Sequence, residues 1–180
     1  MAEYDLHERA AAIVRDAGGK LVGRTRLQKV AYLSQLAGFT DDFSFEYRRY
    51  GPYSEELAEA MEIAAGLNLV REEEREADWG GWYSIYRFDP ATVLDAPADA
   101  GRAHFVAAAA MIGAIELELA ATAAFLYAEE GISRDGEVDT WKETARLKPD
   151  KAGDGRLKRA KAAYKKLGKI DTPKPLPPIV

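Results

Sequence analysis

Residues 25–54 read TRLQKVAYLSQLAGFTDDFSFEYRRYGPYS, and this stretch decides the fold. Leu27, Val30, Ala31 and Leu33 share one helical face, which predicts a helix from about Thr25 to a stop at Gly38. Thr25 and Gln28 have capping-box spacing, so Gln28 is expected to reach back to the helix start. In FSFEYRRY, Phe43, Phe45 and Tyr47 alternate with Ser44, Glu46 and Arg48, the pattern of a short half-buried strand. Gly51-Pro52 is a turn signal, and Ser54 is the expected N-cap of a helix with Glu55 and Glu56 in its first turn. Leu57, Ala60, Met61 and Ala64 give that helix its apolar face, and Gly66 ends it.

Upstream, Leu6, Ala10, Ile13, Val14 and Ala17 predict a helix over 4–17, stopped by Gly18-Gly19. Downstream, 67–72 and 82–88 read as two strands around a charged, Gly-containing loop. Helix, helix, short strand, helix, ribbon is an order compatible with a winged helix–turn–helix. The Pro/Ala-rich spacer 89–98 marks a lobe boundary. One long, central, Ala-rich helix is expected over 99–129. A helix capped by Asp139 follows over 140–147, then a last one over 155–168 with Leu157, Ala160, Tyr164 and Leu167 inward. The ending DTPKPLPPIV should be extended and mobile. The expected fold is therefore mainly α with a small β-ribbon, an α+β class. A winged-helix-like half (1–95) packs on a helical lobe (99–169), within a single domain of 1–180 that ends in a mobile tail, 170–180.

The 180-residue chain is 47% hydrophobic and 31% charged, a globular composition long enough to bury a real core. It has no cysteine, which excludes disulfides, thiol catalysis and zinc–thiolate sites. The net charge of −5 is unevenly spread. Residues 146–174 hold 11 Lys+Arg against 3 Asp+Glu, and the remainder 14 against 27. The first residues carry early acids and no apolar stretch, so a cytoplasmic location is expected. The apolar run 105–127 is interrupted by Glu116 and Glu118 and reads as a buried helix, with no membrane role.

No phosphate-binding glycine loop, GxSxG, HExxH or metal-type acidic cluster is present. No cofactor, metal or catalytic residue is expected. His7 and His104 are far apart in sequence, and Glu116 and Glu118 point to different helix faces. The third helix, which a winged fold offers to the major groove, carries Glu55, Glu56, Glu59 and Glu62 and no Lys or Arg. The ribbon loop, 71–78, is acidic as well. That surface has the wrong sign for phosphates. Nucleic acid then remains an alternative only at the last helix, through Arg156, Lys158, Arg159, Lys161, Lys165 and Lys166, followed by Lys169.

The pairing of Thr25–Gln35 with Phe45–Ser54 resembles the Panacea domain family of SocA-like antitoxins, and more closely the YwgA-type bacterial proteins. The shared pattern is an LQK-x-x-Y-L helix, an aromatic extended segment ending in Tyr50-Gly51-Pro52-Tyr53, then a helix ending before Gly66-Leu67. Leu147-Lys148-Pro149 is a further hint. The resemblance covers about residues 22–75. It implies a mostly helical domain with a small sheet, and for many members a toxin-neutralising role.

Leu27, Tyr32, Leu33 and Tyr47 are expected in the core, with Gly51 at positive φ or in close backbone approach and Pro52-Tyr53 leading into the next helix. The polar members Arg26, Gln28, Lys29, Arg49, Tyr50 and Ser54 are the partner-binding candidates. The first expectation is a non-enzymatic interaction module that binds a partner protein, a toxin encoded nearby. The alternatives are a nucleic-acid regulator using the last helix, or an enzyme or ligand-binding protein holding an anion near the YGPYS turn. A homodimer is left open.

Overall fold

The computed structural model describes residues 5–132 and 138–179. Tyr4, expected as the first helical residue, and Val180, the last of the tail, lie outside them.

Helix α1 (Leu6–Asp16) buries Ala10, Ala11 and Val14. Strand β1 (Lys20–Val22) follows, then α2 (Arg24–Leu36). Strands β2 (Glu46–Arg48) and β3 (Gly51–Tyr53) form a separate antiparallel hairpin, with Tyr47 opposite Pro52. Helix α3 (Glu55–Gly66) starts at Ser54, whose hydroxyl accepts the Leu57 N–H as expected. Strands β4 (Arg71–Glu76) and β5 (Trp82–Arg87) complete a three-stranded antiparallel sheet in the order β1-β5-β4. Three helices with this sheet order give the winged-helix connectivity, and the β2–β3 hairpin is inserted between α2 and α3.

Two details of that half differ from the sequence reading. The strand that completes the sheet is Lys20–Val22, while the aromatic segment pairs only with its own return strand. The charged segment expected as a loop is β4 itself, and the turn is confined to the residues between Glu76 and Trp82. Its charges are consistent with an edge strand, where apolar residues would invite association. Glu72 accepts from Ser84 at 2.7 Å and from Arg24 at 2.9 Å, and Glu73 accepts from Arg87 at 3.1 Å.

The single Ala-rich helix is two helices, α4 (Ala100–Ala110) and α5 (Ala114–Ala128), bent by 119° at the break. Arg26 supports the break. Its guanidinium donates to the carbonyls of Ala110, at 2.9 Å, and Ile112, which α4 leaves unsatisfied at its end. No single helix among the described residues is long and apolar enough to cross a membrane. Helix α5 is the central element, buried continuously from Leu117 to Leu126. Around it lie α6 (Thr140–Leu147), the single turn α7 (Pro149–Ala152) and α8 (Arg156–Leu167). Asp139 caps α6 as expected, and Ala160, Tyr164 and Leu167 face inward from α8.

The core forms two clusters with α2 between them. Val30 and Leu33 pack toward α5, and Leu27 and Ala31 pack toward α1 and α3. The proline-rich tail is docked rather than free. Lys174 N–H donates to the Ala37 carbonyl at 3.0 Å, Tyr164 donates to the Pro177 carbonyl at 2.6 Å, and Leu176 is buried. Proline prevents regular structure there but does not prevent packing.

Candidate functional site

Gln28 and Lys29 are neighbours on α2 and both are buried, because the β2–β3 hairpin lies over them. The amide of Gln28 grips the backbone of Ser54 at both ends. Its Nε2 donates to the Ser54 carbonyl at 2.9 Å, and the Ser54 N–H donates to its Oε1 at 2.7 Å. This overturns the capping role. The N-cap of α2 is Gly23, with no side-chain cap, and Gln28 is used 26 residues away. Gln28→Ala would leave two buried backbone groups unpaired, at roughly 1–3 kcal/mol each. A fall of that order in urea-unfolding stability is expected.

The hairpin tip is Arg49-Tyr50, closed by Gly51 at φ +90°. Such a tip with a following left-handed glycine is a common way to close a hairpin without splaying its strands. A Cβ on Gly51 would lie 2.7 Å from Thr122 Oγ1, so the glycine serves both a conformation and a close approach. From α2, Lys29 Nζ donates to the Pro52 carbonyl at 2.7 Å. From the end of α6, Lys148 Nζ donates to the Arg49 carbonyl at 3.0 Å and to Glu118 Oε1 at 2.8 Å. Lys151 of α7 donates to both Glu118 oxygens, at 2.8 and 2.6 Å. Three ammonium groups therefore surround one buried carboxylate beneath the hairpin. Thr122 Oγ1 is buried beside them without a hydrogen-bond partner.

Lys29 is only 1% exposed. Burial is the main cause that pushes its pKa down to about 8; Glu118 opposes the shift, and Lys148 and Lys151 add to it. An unfolded lysine titrates near 10.4. Between pH about 8 and about 10.4 the unfolded chain then binds more protons than the folded one, so this group makes stability rise with pH across that window. Below the window its unfavourable contribution is constant. Thermal unfolding of the wild type should gain on Lys29→Met over that range, and parallel profiles would refute this.

Above the clamp, the tip is exposed. Tyr50 is 46% exposed, and Lys151 Nζ lies 4.7 Å and Arg49 5.4 Å from its ring centroid. Arg49 has no carboxylate partner among the described residues. Arg48 pairs with Glu46 and with Glu55 at 3.1 Å. Beside the tip is a cavity of about 210 Å³ whose walls include Arg24, Thr25, Lys29, Arg49, Tyr50 and Gly51.

The candidates thus separate. Arg49 and Tyr50 are available at the surface. Gln28, Lys29 and Ser54 are buried supports, and Arg26 serves the α4–α5 break instead of the turn. Leu27, Tyr32 and Leu33 are core residues. Tyr47 was expected in the core but is 38% exposed, with one face 5.9 Å from Phe125. Pro52 is buried in β3 and Tyr53 is half-buried under Arg48. On α8, Arg159 pairs with Glu116 at 2.9 Å and Arg156 lies 3.8 Å from Asp154. Lys158, Lys161, Lys165 and Lys166 are exposed and project away from the core. Sequence reasoning missed Glu118, Thr122 and Lys151 as parts of the site. Lys148 carried a signal through its place in Leu147-Lys148-Pro149. No group of three His, Asp or Glu residues suited to a metal ion occurs among the described residues.

No protein-family model matches the chain. It is 30% identical over 82 residues to the uncharacterised protein YwgA of Bacillus subtilis strain 168, a match covering 46% of this chain and 47% of that protein. The match spans about half the length of this relative. It supports a relationship to YwgA-type proteins over that stretch.

Proposed function

We propose that the chain is a non-enzymatic protein-interaction module that docks a partner on the tip of the β2–β3 hairpin, and that the partner is a toxin it neutralises. The observation that carries this reading is the contrast between clamp and tip. The backbone at Arg49, Pro52 and Ser54 is held by buried side chains, while Arg49 and Tyr50 point outward. Tyr and Arg dominate interface hot spots, and a pre-ordered loop loses less entropy on binding. The acidic face of α3 and the acidic β4 argue against the winged-helix route to DNA.

The test is co-expression with the product of the neighbouring gene, scored by rescue of growth and by co-purification. The double variant Arg49→Ala, Tyr50→Ala should weaken the complex by at least ~2 kcal/mol, about 30-fold in Kd, at unchanged thermal stability. Failure of the wild type to rescue growth or to form a complex overturns the proposal. The exposed lysines of α8 favour nucleic acid as a second reading. It requires binding that falls steeply with salt and is lost in Lys165→Glu, Lys166→Glu.

A further inference from the structure

We infer that the groove between the α4–α5 break and α8 receives the β4–β5 ribbon tip of a second copy of this chain. The contact uses no residue of the β2–β3 hairpin and does not rest on the partner proposed there. The groove exists because two packing features meet. The chain turns sharply at 111–113, which leaves Met111 86% exposed and Ile112 half-buried. Helix α8 contributes Ala162 and Ala163, whose short side chains fill little of the space, with Ile170 just past its end. The resulting hollow has a volume of about 530 Å³ and a mainly apolar lining. Pockets of about 300–1,000 Å³ enclose drug-sized bodies, so indole side chains fit.

Charge identifies the occupant. At the rim, Glu116 and Arg159 satisfy each other at 2.9 Å. The rest of the α8 surface is basic. Lys166 lines the groove, and it and Lys158, Lys161, Lys165 and Lys169 make no ion pair among the described residues. A complementary surface is apolar at its centre and acidic at its edge. The ribbon tip of this same chain has that make-up. Trp79 and Trp82 are its large apolar groups, and their exposure shows that they do not fill the groove of their own chain.

Along the ribbon, Glu72 and Glu74 are paired with Arg24, and Glu73 with Arg75 and Arg87. Glu76 and Asp78, at the tip, make no ion pair among the described residues. Glu76 stands directly opposite Trp82 in the ladder, so that carboxylate and indole share a face. Unpaired acids thus flank the exposed indoles, as unpaired lysines flank the apolar groove. The turn is ordered before any contact. Ala77 N–H donates to the Gly81 carbonyl at 2.7 Å and Gly80 N–H to the Ala77 carbonyl at 2.8 Å. Little conformational freedom is then lost on docking.

Two tryptophans bury about 300–500 Å² of their own surface, and the groove about as much again. A total of about 600–1,000 Å² lies below the roughly 1,200 Å² of a stable interface, so the contact is weak and forms at high concentration. It is heterologous, tip to groove, so a copy with one intact surface can still pair once.

Sedimentation equilibrium of the full chain tests this. The wild type should be monomeric at ~10 µM and associate with a Kd of about 0.1–1 mM at low salt. Trp79→Ser, Trp82→Ser removes the tip, and Ala162→Glu blocks the groove. All three positions are exposed, so both variants should fold, which thermal unfolding checks. Each alone should lose association at least ~10-fold. Mixed together they should form one-to-one dimers, because each supplies the surface the other lacks. That rescue separates the contact from general stickiness. Val93→Ser removes another exposed apolar side chain, outside both surfaces, and should change nothing. Raising salt to ~0.5 M should weaken association severalfold by screening the acid–lysine attraction.

A wild type that stays monomeric at ~2 mM overturns the inference and leaves the groove to an acidic segment of another protein. Association that survives in either variant, a mixture that does not pair, or association strengthened by salt also overturns it. The growth-rescue assay reads the β2–β3 tip, and its failure leaves these measurements unchanged.

Discussion

Glu118→Leu is expected to destabilise the fold by about 3–5 kcal/mol, the usual consequence of removing one member of a buried ion pair. Among the described residues Glu118 is the only carboxylate among the three lysines beneath the hairpin, and its side chain and that of Lys148 are each 5% exposed. Without it, Lys148 keeps a single acceptor among the described residues, the Arg49 carbonyl, and Lys29 loses the group that holds its pKa up. Lys151 is more exposed and can turn to water, which favours the lower part of the range. Urea unfolding of Glu118→Leu against Glu118→Leu, Lys148→Met, Lys151→Met separates two possibilities. If uncompensated charge is the cause, the triple variant regains most of the loss, since apolar replacement of a whole buried ionic cluster is often neutral. A loss below ~1 kcal/mol in the single variant would contradict the buried assignment.

Gly51→Ala should be almost as damaging, for steric reasons. An alanine at φ +90° carries backbone strain of about 1–3 kcal/mol. Its Cβ, 2.7 Å from Thr122 Oγ1, adds overpacking of about 1–3 kcal/mol. Thr122→Ala alone should cost little on hydrogen-bonding grounds, because that hydroxyl has no partner to lose. Combined with Gly51→Ala it should return the overpacking part and leave the strain, which denaturation of the three variants would show. The hairpin should also shift outward in Gly51→Ala, weakening the bonds to the Arg49 and Pro52 carbonyls.

The features legible in the sequence are those that close within a few residues. Ser54 and Asp139 cap the helices they precede, and the inward face of α8 follows its own periodicity. The rest depends on distant partners. Gln28 looks like a cap when only Thr25 is considered, but the backbone of Ser54 offers it both a donor and an acceptor. The break at 111–113 was hidden because alanine on every face leaves no period to interrupt, and it is Arg26, 84 residues from Ala110, that satisfies the broken end. The three-residue β1 is too short to announce itself, and its place in the sheet comes from pairing with β5. The lower half of the site assembles from Glu118, Lys148 and Lys151, which are 30 and 33 residues apart. Each reads separately as an ordinary charge on a helix. The tail, expected to be extended and mobile, is docked instead, and its docking depends on Gly38, where a Cβ would lie 2.8 Å from that of Lys174.

The three tryptophans divide the molecule for optical spectroscopy. Trp79 and Trp82, 77% and 67% exposed, sit at the turn of the β4–β5 ribbon, and Trp141 is enclosed in the helical half. The ribbon pair should emit like indole in water. Caesium, gathered by the carboxylates of 72–78, should quench it more readily than iodide, which those charges repel. Trp141 meets Tyr164 edge-on at 5.9 Å, and the hydroxyl of that tyrosine holds the tail through Pro177. Its emission should be blue-shifted by burial and should report whether the last residues are seated, while the ribbon pair should report what approaches the other end of the chain's charge gradient.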